Sequence, residues 1–311
     1  MKGYPVKTWF KYLFYASLVF LVIALVRADY LVIPVIRDYL SLGISLVLLP
    51  AGFLLSGISW AMVVRQGGYT IRLREGIEST GLAIFGKYIP GKLWVIMGRS
   101  EYLAGRHGWS RKNMATLSFD AQFLALWVAL LLGTAGMIAI GGVNVYGLSV
   151  LILFLLLSGV IFTPLFHRVA EFFLGKLLRR PVTIPKLPLA KVWKPAAWYL
   201  LNWGTWCVSF YFLADSLVEG GVPFVSGFSF GLAASVGILA VFAPGGLGVR
   251  EGILTGFFTL AGLAVPVATT IAVTSRLWFL TGEVFIFLTA FVISRTTPRT
   301  PRKQDNPAST G

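Results

Sequence analysis

Apolar runs of close to twenty residues recur along the chain, separated by short clusters of basic residues. A helix rises about 1.5 Å per residue, so a run of that length crosses a hydrocarbon core about 30 Å thick. The runs predict spans at about 10–26, 40–64, 114–140, 147–166, 197–217 and 267–293. They are continuous rather than alternating, which excludes a membrane barrel and leaves an all-α polytopic bundle. The membrane domain then covers 1–294, followed by a polar, proline-containing tail at 295–311 read as disordered. Lys2, Lys7 and Lys11 precede the first run as in a signal peptide, but no small-x-small cleavage site follows, so it reads as an uncleaved span.

Two apolar stretches break this rhythm. In 75–98 a short arm at 81–85 runs into Gly86-Lys87-Tyr88-Ile89-Pro90-Gly91-Lys92, and a second arm at 93–97 ends in Gly98-Arg99-Ser100-Glu101. In 222–263 the interruption is Pro244-Gly245-Gly246-Leu247-Gly248-Val249-Arg250-Glu251. Proline removes a helix donor and clashes with the preceding turn, and glycine frees the backbone, so both elements end helices. The arms of the first stretch are too short to cross, which predicts a re-entrant or interfacial hairpin. The second is either a re-entrant hairpin or two full crossings; both return the chain to the side it left.

Sliding the second break onto the first lays the span at 197–217 over 40–64 and the last span over 114–140. Each half, about 1–140 and 147–294, reads span, span, broken hairpin, span. An odd number of crossings per half turns the second half upside down, and inverted repeats with broken helices in matching places point to secondary transporters.

Composition adds orientation. The net charge of +15 raises the question of nucleic acid, but the charge lies at helix ends. Of the 27 basic residues, all except Arg27, Arg37, Arg250 and Arg276 fall on one side of this map. The positive-inside rule then places both termini in the cytoplasm, in the cytoplasmic (inner) membrane, with no nucleic-acid partner. Within 168–194, Phe172, Phe173, Leu177 and Leu178 oppose Lys176, Arg179 and Arg180, a pattern for a helix lying on the membrane surface and ended by Pro181, Pro185 and Pro188. The single cysteine, Cys207, sits in an apolar helix as a small packing residue.

A charge at membrane depth costs about 2.5–3.5 kcal/mol on insertion scales, so each one marks a partner or a site. Asp120, Arg250, Glu251, Arg276 and Glu283 qualify, and the spacing of Arg276 and Glu283 puts them on one helical face. Arg250 and Glu251, opening a half-helix, either face a polar cavity where the helix end favours phosphate, or form a structural pair, for instance Arg250 with Asp120 or Glu283. Lys87, Lys92 and Arg99, beside Glu101, either hold a lipid phosphodiester, with Tyr88 and Trp94 as interfacial anchors, or snorkel to headgroups in general. Gly248, Gly252 and Gly256, like Gly227 and Gly231, have the four-residue spacing of close helix packing. His107 and His167 lack partner ligands at metal spacing, Gly246-Leu247-Gly248 is not a dinucleotide fingerprint, and no nucleophilic triad occurs. No metal, cofactor or enzymatic activity is expected.

The run Gly86 to Lys92 with Gly98-Arg99, followed by Pro244 to Glu251, resembles the membrane domain of lysylphosphatidylglycerol synthase, the flippase-like family, over nearly the whole chain. In bifunctional members a membrane half moves aminoacylated phosphatidylglycerol to the outer leaflet, and a separate soluble domain makes it. The chain ends at Gly311 with no room for that domain, so the resemblance implies a stand-alone member without the synthesis step. Stand-alone members are linked to varied lipids, including hopanoids and lipid-linked sugars. The expectation is a flippase moving a phospholipid or lipid-linked headgroup between leaflets, with membrane lipids as partners. The alternative is a non-catalytic accessory subunit of a lipid- or glycan-modifying enzyme.

Overall fold

The computed structural model describes residues 34–88, 94–163, 168, 189–240 and 246–296. The span predicted at 10–26, the break residues Pro90, Gly91, Lys92, Pro244 and Gly245, most of the predicted surface helix, His167 and the tail beyond 296 lie outside them.

Asp38 starts the first helix, its carboxylate accepting the Leu40 backbone N–H at 2.8 Å. Helix α1 (Tyr39–Gln66) then runs through Pro50 to Arg65. The broken stretch follows as α2 (Leu73–Ala83), a 3-10 turn at Ile84–Tyr88, and α3 (Trp94–His107). Glu75 secures the start of α2 by accepting the Arg72 N–H at 2.7 Å. Next come α4 (Arg111–Gly141) and α5 (Val145–Phe162), the latter capped by Asn144, which accepts two backbone N–H groups. The chain continues with α6 (Leu189–Asp215), a 3-10 turn at Phe224–Phe228, α7 (Ser229–Leu239), α8 (Val249–Leu260) and α9 (Val265–Thr296). Among the described residues there is no strand.

Among the described residues four helices, α1, α4, α5 and α9, are long and apolar enough to cross a membrane. Helix α6 has the length, at 27 residues, but its Lys, Asn, Trp and Tyr residues dilute its apolarity. Helices α7 and α8 have 11 and 12 residues, about 17 Å each and half a bilayer core. Each of these is shorter than a full crossing, as are α2 and α3 with 11 and 14 residues.

Helices α1 and α6 pack antiparallel: Ser41 Oγ donates to Asp215 Oδ2 at 2.9 Å, and Asn202 Nδ2 donates to the Gly52 carbonyl at 2.7 Å. Between these, Ser45 and Ser209 each donate to the other's carbonyl at 2.7 Å. Small and hydroxyl residues hold membrane helices together because the lipid offers no hydrophobic drive. Half-helix α2 sits where Gly76 and Gly81 leave no room for a side chain, against Gly57 and Ala61 of α1 and Ile286 and Ala290 of α9. Half-helix α7 lies on α4 in the same way, with a Cβ on Gly133 reaching 2.7 Å from the Leu232 Cα. Gly227 and Gly231 make close approaches to Cys207 and Ala129, as their spacing predicts. Gly248, Gly252 and Gly256 do not: nothing lies within 4 Å of a Cβ built on any of them. The predicted close packing therefore does not appear there among the described residues.

Candidate functional site

Each broken stretch delivers its charges to the same part of α9. The 3-10 turn after α2 carries Lys87, whose Nζ pairs with Glu283, and Tyr88, whose hydroxyl donates to Glu283 Oε2 at 2.7 Å. Glu283 is 1% exposed. Tyr88 is buried too, at this carboxylate rather than at the membrane interface.

The other break reaches α9 from the second half. Gly246 and Gly248, at φ of +69° and +78°, make a left-handed turn that only glycine adopts without strain, and α8 starts directly after it. Glu251 thus falls in the first turn, where the positive helix end favours an acid, and it accepts from Arg276 Nε of α9. Among the described residues Arg250 has no such partner. Its guanidinium lies over the rings of Phe230 (5.2 Å) and Phe279 (5.4 Å), it is 8% exposed, and its Nε and Nη2 find no acceptor there. The stem crosses Gly237, where a Cβ would come within 2.6 Å of Arg250 Cγ. Lys87 Nζ is 4.8 Å from the centre of the same Phe279 ring, so one aromatic residue carries a cation from each break.

The centre therefore holds three cations, Lys87, Arg250 and Arg276, against two carboxylates, Glu251 and Glu283. Trp203, Trp206 and Trp278 pack around Phe230 and Phe279, and their indole N–H groups are buried without acceptors. Burying polar donors unpaired costs about 1–3 kcal/mol each, so this surplus of donors and positive charge suits an oxyanion.

The remaining predicted residues lie elsewhere. Arg99 is a buried clamp: Nε and Nη2 donate to Ser118 Oγ and its carbonyl, both at 2.7 Å, and the guanidinium covers the Trp60 ring at 4.6 Å. Glu101 is exposed and pairs with Arg111 at 3.0 Å. Asp120 is buried on α4, and Trp94 is half-buried.

A second polar cluster escapes the sequence reading. Glu78 of α2, fully buried, accepts from Tyr102 Oη and from Arg106 Nη1 (2.8 Å) of α3. Glu75 pairs with His107 Nε2 (3.2 Å) and Arg106 Nε (3.4 Å), and the His107 ring stacks on Trp109. The signal was there: acids three apart face a Tyr-x-x-x-Arg-His face, each on one side of its half-helix. This cluster ties the two arms of the first hairpin together and is distinct from the centre on α9.

Helices of spanning length, shorter helices between them and a charged centre buried among them fit a multi-pass helical membrane protein. The family model for the lysylphosphatidylglycerol synthase TM region matches residues 9–282, and the chain belongs to that family. Its membership makes it a membrane protein of lipid modification or transport. No curated protein and no solved structure matches the chain.

Proposed function

We propose that the protein is a lipid transporter that carries the phosphate-bearing headgroup of a phospholipid or lipid-linked sugar between leaflets of the cytoplasmic membrane, basic face inward. One observation carries the reading: Arg250 is buried with two unpartnered N–H donors, beside Lys87 from the other break. A guanidinium offers forked contacts that match phosphate oxygens. The antiparallel pairing of α1 with α6, in matching places of the two halves, supports an inverted repeat, and the charged centre then sits where the halves meet. Alternation between halves would expose that centre to one leaflet and then the other.

The test is reconstitution. Proteoliposomes holding fluorescent phospholipids or a fluorescent polyisoprenyl-phosphate sugar should exchange them between leaflets, and Arg250→Met should abolish exchange at unchanged protein yield. Exchange that survives in the variant refutes the site. A purified protein that shows no exchange but activates a co-reconstituted lipid-modifying enzyme would instead support the accessory-subunit reading.

A further inference from the structure

We propose that Glu283 is a proton-exchanging counter-ion: it holds Lys87 while the centre is empty, and takes up one proton when a phosphate oxyanion draws Lys87 away. The inference rests on the headgroup reading above and adds the ion that moves with it.

The arrangement of charges motivates it. Arg276 is neutralised by Glu251 and Lys87 by Glu283, which leaves Arg250 as the cation of this centre without an ion pair among the described residues. An oxyanion drawn to Arg250 arrives at the Phe279 ring, whose centre is 4.8 Å from Lys87 Nζ. Lys87 can then turn from the carboxylate to the oxyanion. Two anions competing for one ammonium in a desolvated centre repel strongly.

Glu283 has few ways to relieve that repulsion as an anion. At 1% exposure it is shielded from bulk solvent, and with Lys87 gone its remaining hydrogen-bond partner among the described residues is the Tyr88 hydroxyl. Arg276, on its own helix, is engaged by Glu251, and Arg250 would be engaged by the oxyanion. On the α1 side, the apolar Leu49 and Phe53 pack against the neighbouring Gly282. Protonation converts Glu283 to a neutral acid that still accepts from Tyr88. The balance is one proton bound to one carboxylate oxygen as one ammonium–carboxylate pair becomes one ammonium–phosphate pair. The proton is released when the headgroup leaves and Lys87 returns.

The full-length protein in detergent is titrated calorimetrically with dihexanoylphosphatidylglycerol below its micelle concentration, and separately with inorganic phosphate, in buffers of different ionisation heat. The expected result is lipid binding with close to one proton taken up per lipid, and an affinity that weakens up to tenfold per pH unit as pH rises. Glu283→Gln should bind with no proton uptake and no such pH slope. Lipid binding to the native protein with no net proton uptake overturns the exchange and leaves the headgroup site standing, and it needs no variant to fold. Binding of phosphate alone, with proton uptake, keeps the exchange and overturns the lipid as its source. Binding of neither overturns both.

Discussion

Replacing Arg250 by methionine should leave the fold as stable as before or more so, while removing transport. The reasoning runs on magnitudes. Each unpartnered buried donor of Arg250 costs about 1–3 kcal/mol, and there are two. The ring contacts at 5.2 and 5.4 Å return about 0.5–2 kcal/mol apiece. Nearby Glu251 and Glu283 attract the guanidinium, while Arg276 repels it. Methionine keeps most of the stem that covers Gly237 and loses only the head. Two donors recover about 2–6 kcal/mol and two ring contacts lose about 1–4, so the midpoint is a gain of roughly 1.5 kcal/mol for the variant. Arg276→Met is the control with the opposite sign, because it strands Glu251, 7% exposed, at about 3–5 kcal/mol. At roughly 2–4 °C per kcal/mol for a chain of this size, thermal unfolding in detergent should put Arg276→Met on the order of 10 °C below Arg250→Met. A melting point for Arg250→Met as low as that of Arg276→Met would show that Arg250 is a structural cation, and the site would lose its central residue.

Other changes test the neighbouring claims. Lys87→Met should destabilise by about 3–5 kcal/mol by leaving the Glu283 carboxylate buried, and the double variant with Glu283→Gln should recover most of that in a melting-point cycle. Gly231→Ala, which drives a methyl to 2.7 Å from the Ala129 carbonyl oxygen, should lower the melting point by several degrees; Gly252→Ala, facing open space, should leave it unchanged or raise it. Arg99→Lys keeps the charge but loses the fork on Ser118 and the stack on Trp60, so it should cost about 1–3 kcal/mol and leave the affinity of the folded protein for dihexanoylphosphatidylglycerol unchanged. At the mouth of the first hairpin, burial raises the Glu75 carboxyl, but His107, the Arg72 N–H and Arg106 together pull it down to about 2. Its folded value is below the ordinary 4.5, so its contribution is present above that pH and fades as pH falls from 4.5 towards 2. Unfolding followed across that window should show a loss that Glu75→Gln lacks.

The spans were legible because the bilayer demands length and apolarity, and both are written locally. Predicted limits of 40–64, 114–140 and 267–293 became 39–66, 111–141 and 265–296. The buried charges were legible for the converse reason: a charge among apolar neighbours is costly enough to stand out, and Lys87, Tyr88, Arg250, Glu251, Arg276 and Glu283 do come together at α9. What the sequence hides is the pairing. Arg276 and Glu283 share a face of α9, and the acids could be matched to the bases in more than one way until the two breaks are placed. Arg99 shows the same limit, since a clamp on Ser118 and a headgroup ligand are one residue type in one motif. Glycine spacing was an uneven guide for a related reason: Gly252 and Gly256 repeat every turn without a close neighbour among the described residues, whereas Gly282 against Phe53 and Gly52 against Trp206, two of the closest approaches, have no glycine four residues away to mark them.

That hidden pairing gives the centre its asymmetry. The first half contributes a cation already answered by a carboxylate, Lys87 with Glu283, in a turn rather than a long helix. The second half contributes one whose donors are unfilled, Arg250, fixed over Gly237 by a left-handed turn on one side and two rings on the other. A rigid cation suits first capture, because its geometry is set before the ligand arrives. A flexible ammonium on a four-carbon stem suits exchange, because it can leave one anion for another without moving its backbone. Were the roles reversed, with the arginine paired and the lysine unfilled, an arriving phosphate would have to break a forked arginine–carboxylate pair to enter. The order found here puts the weaker, more mobile contact where the change of partner must occur.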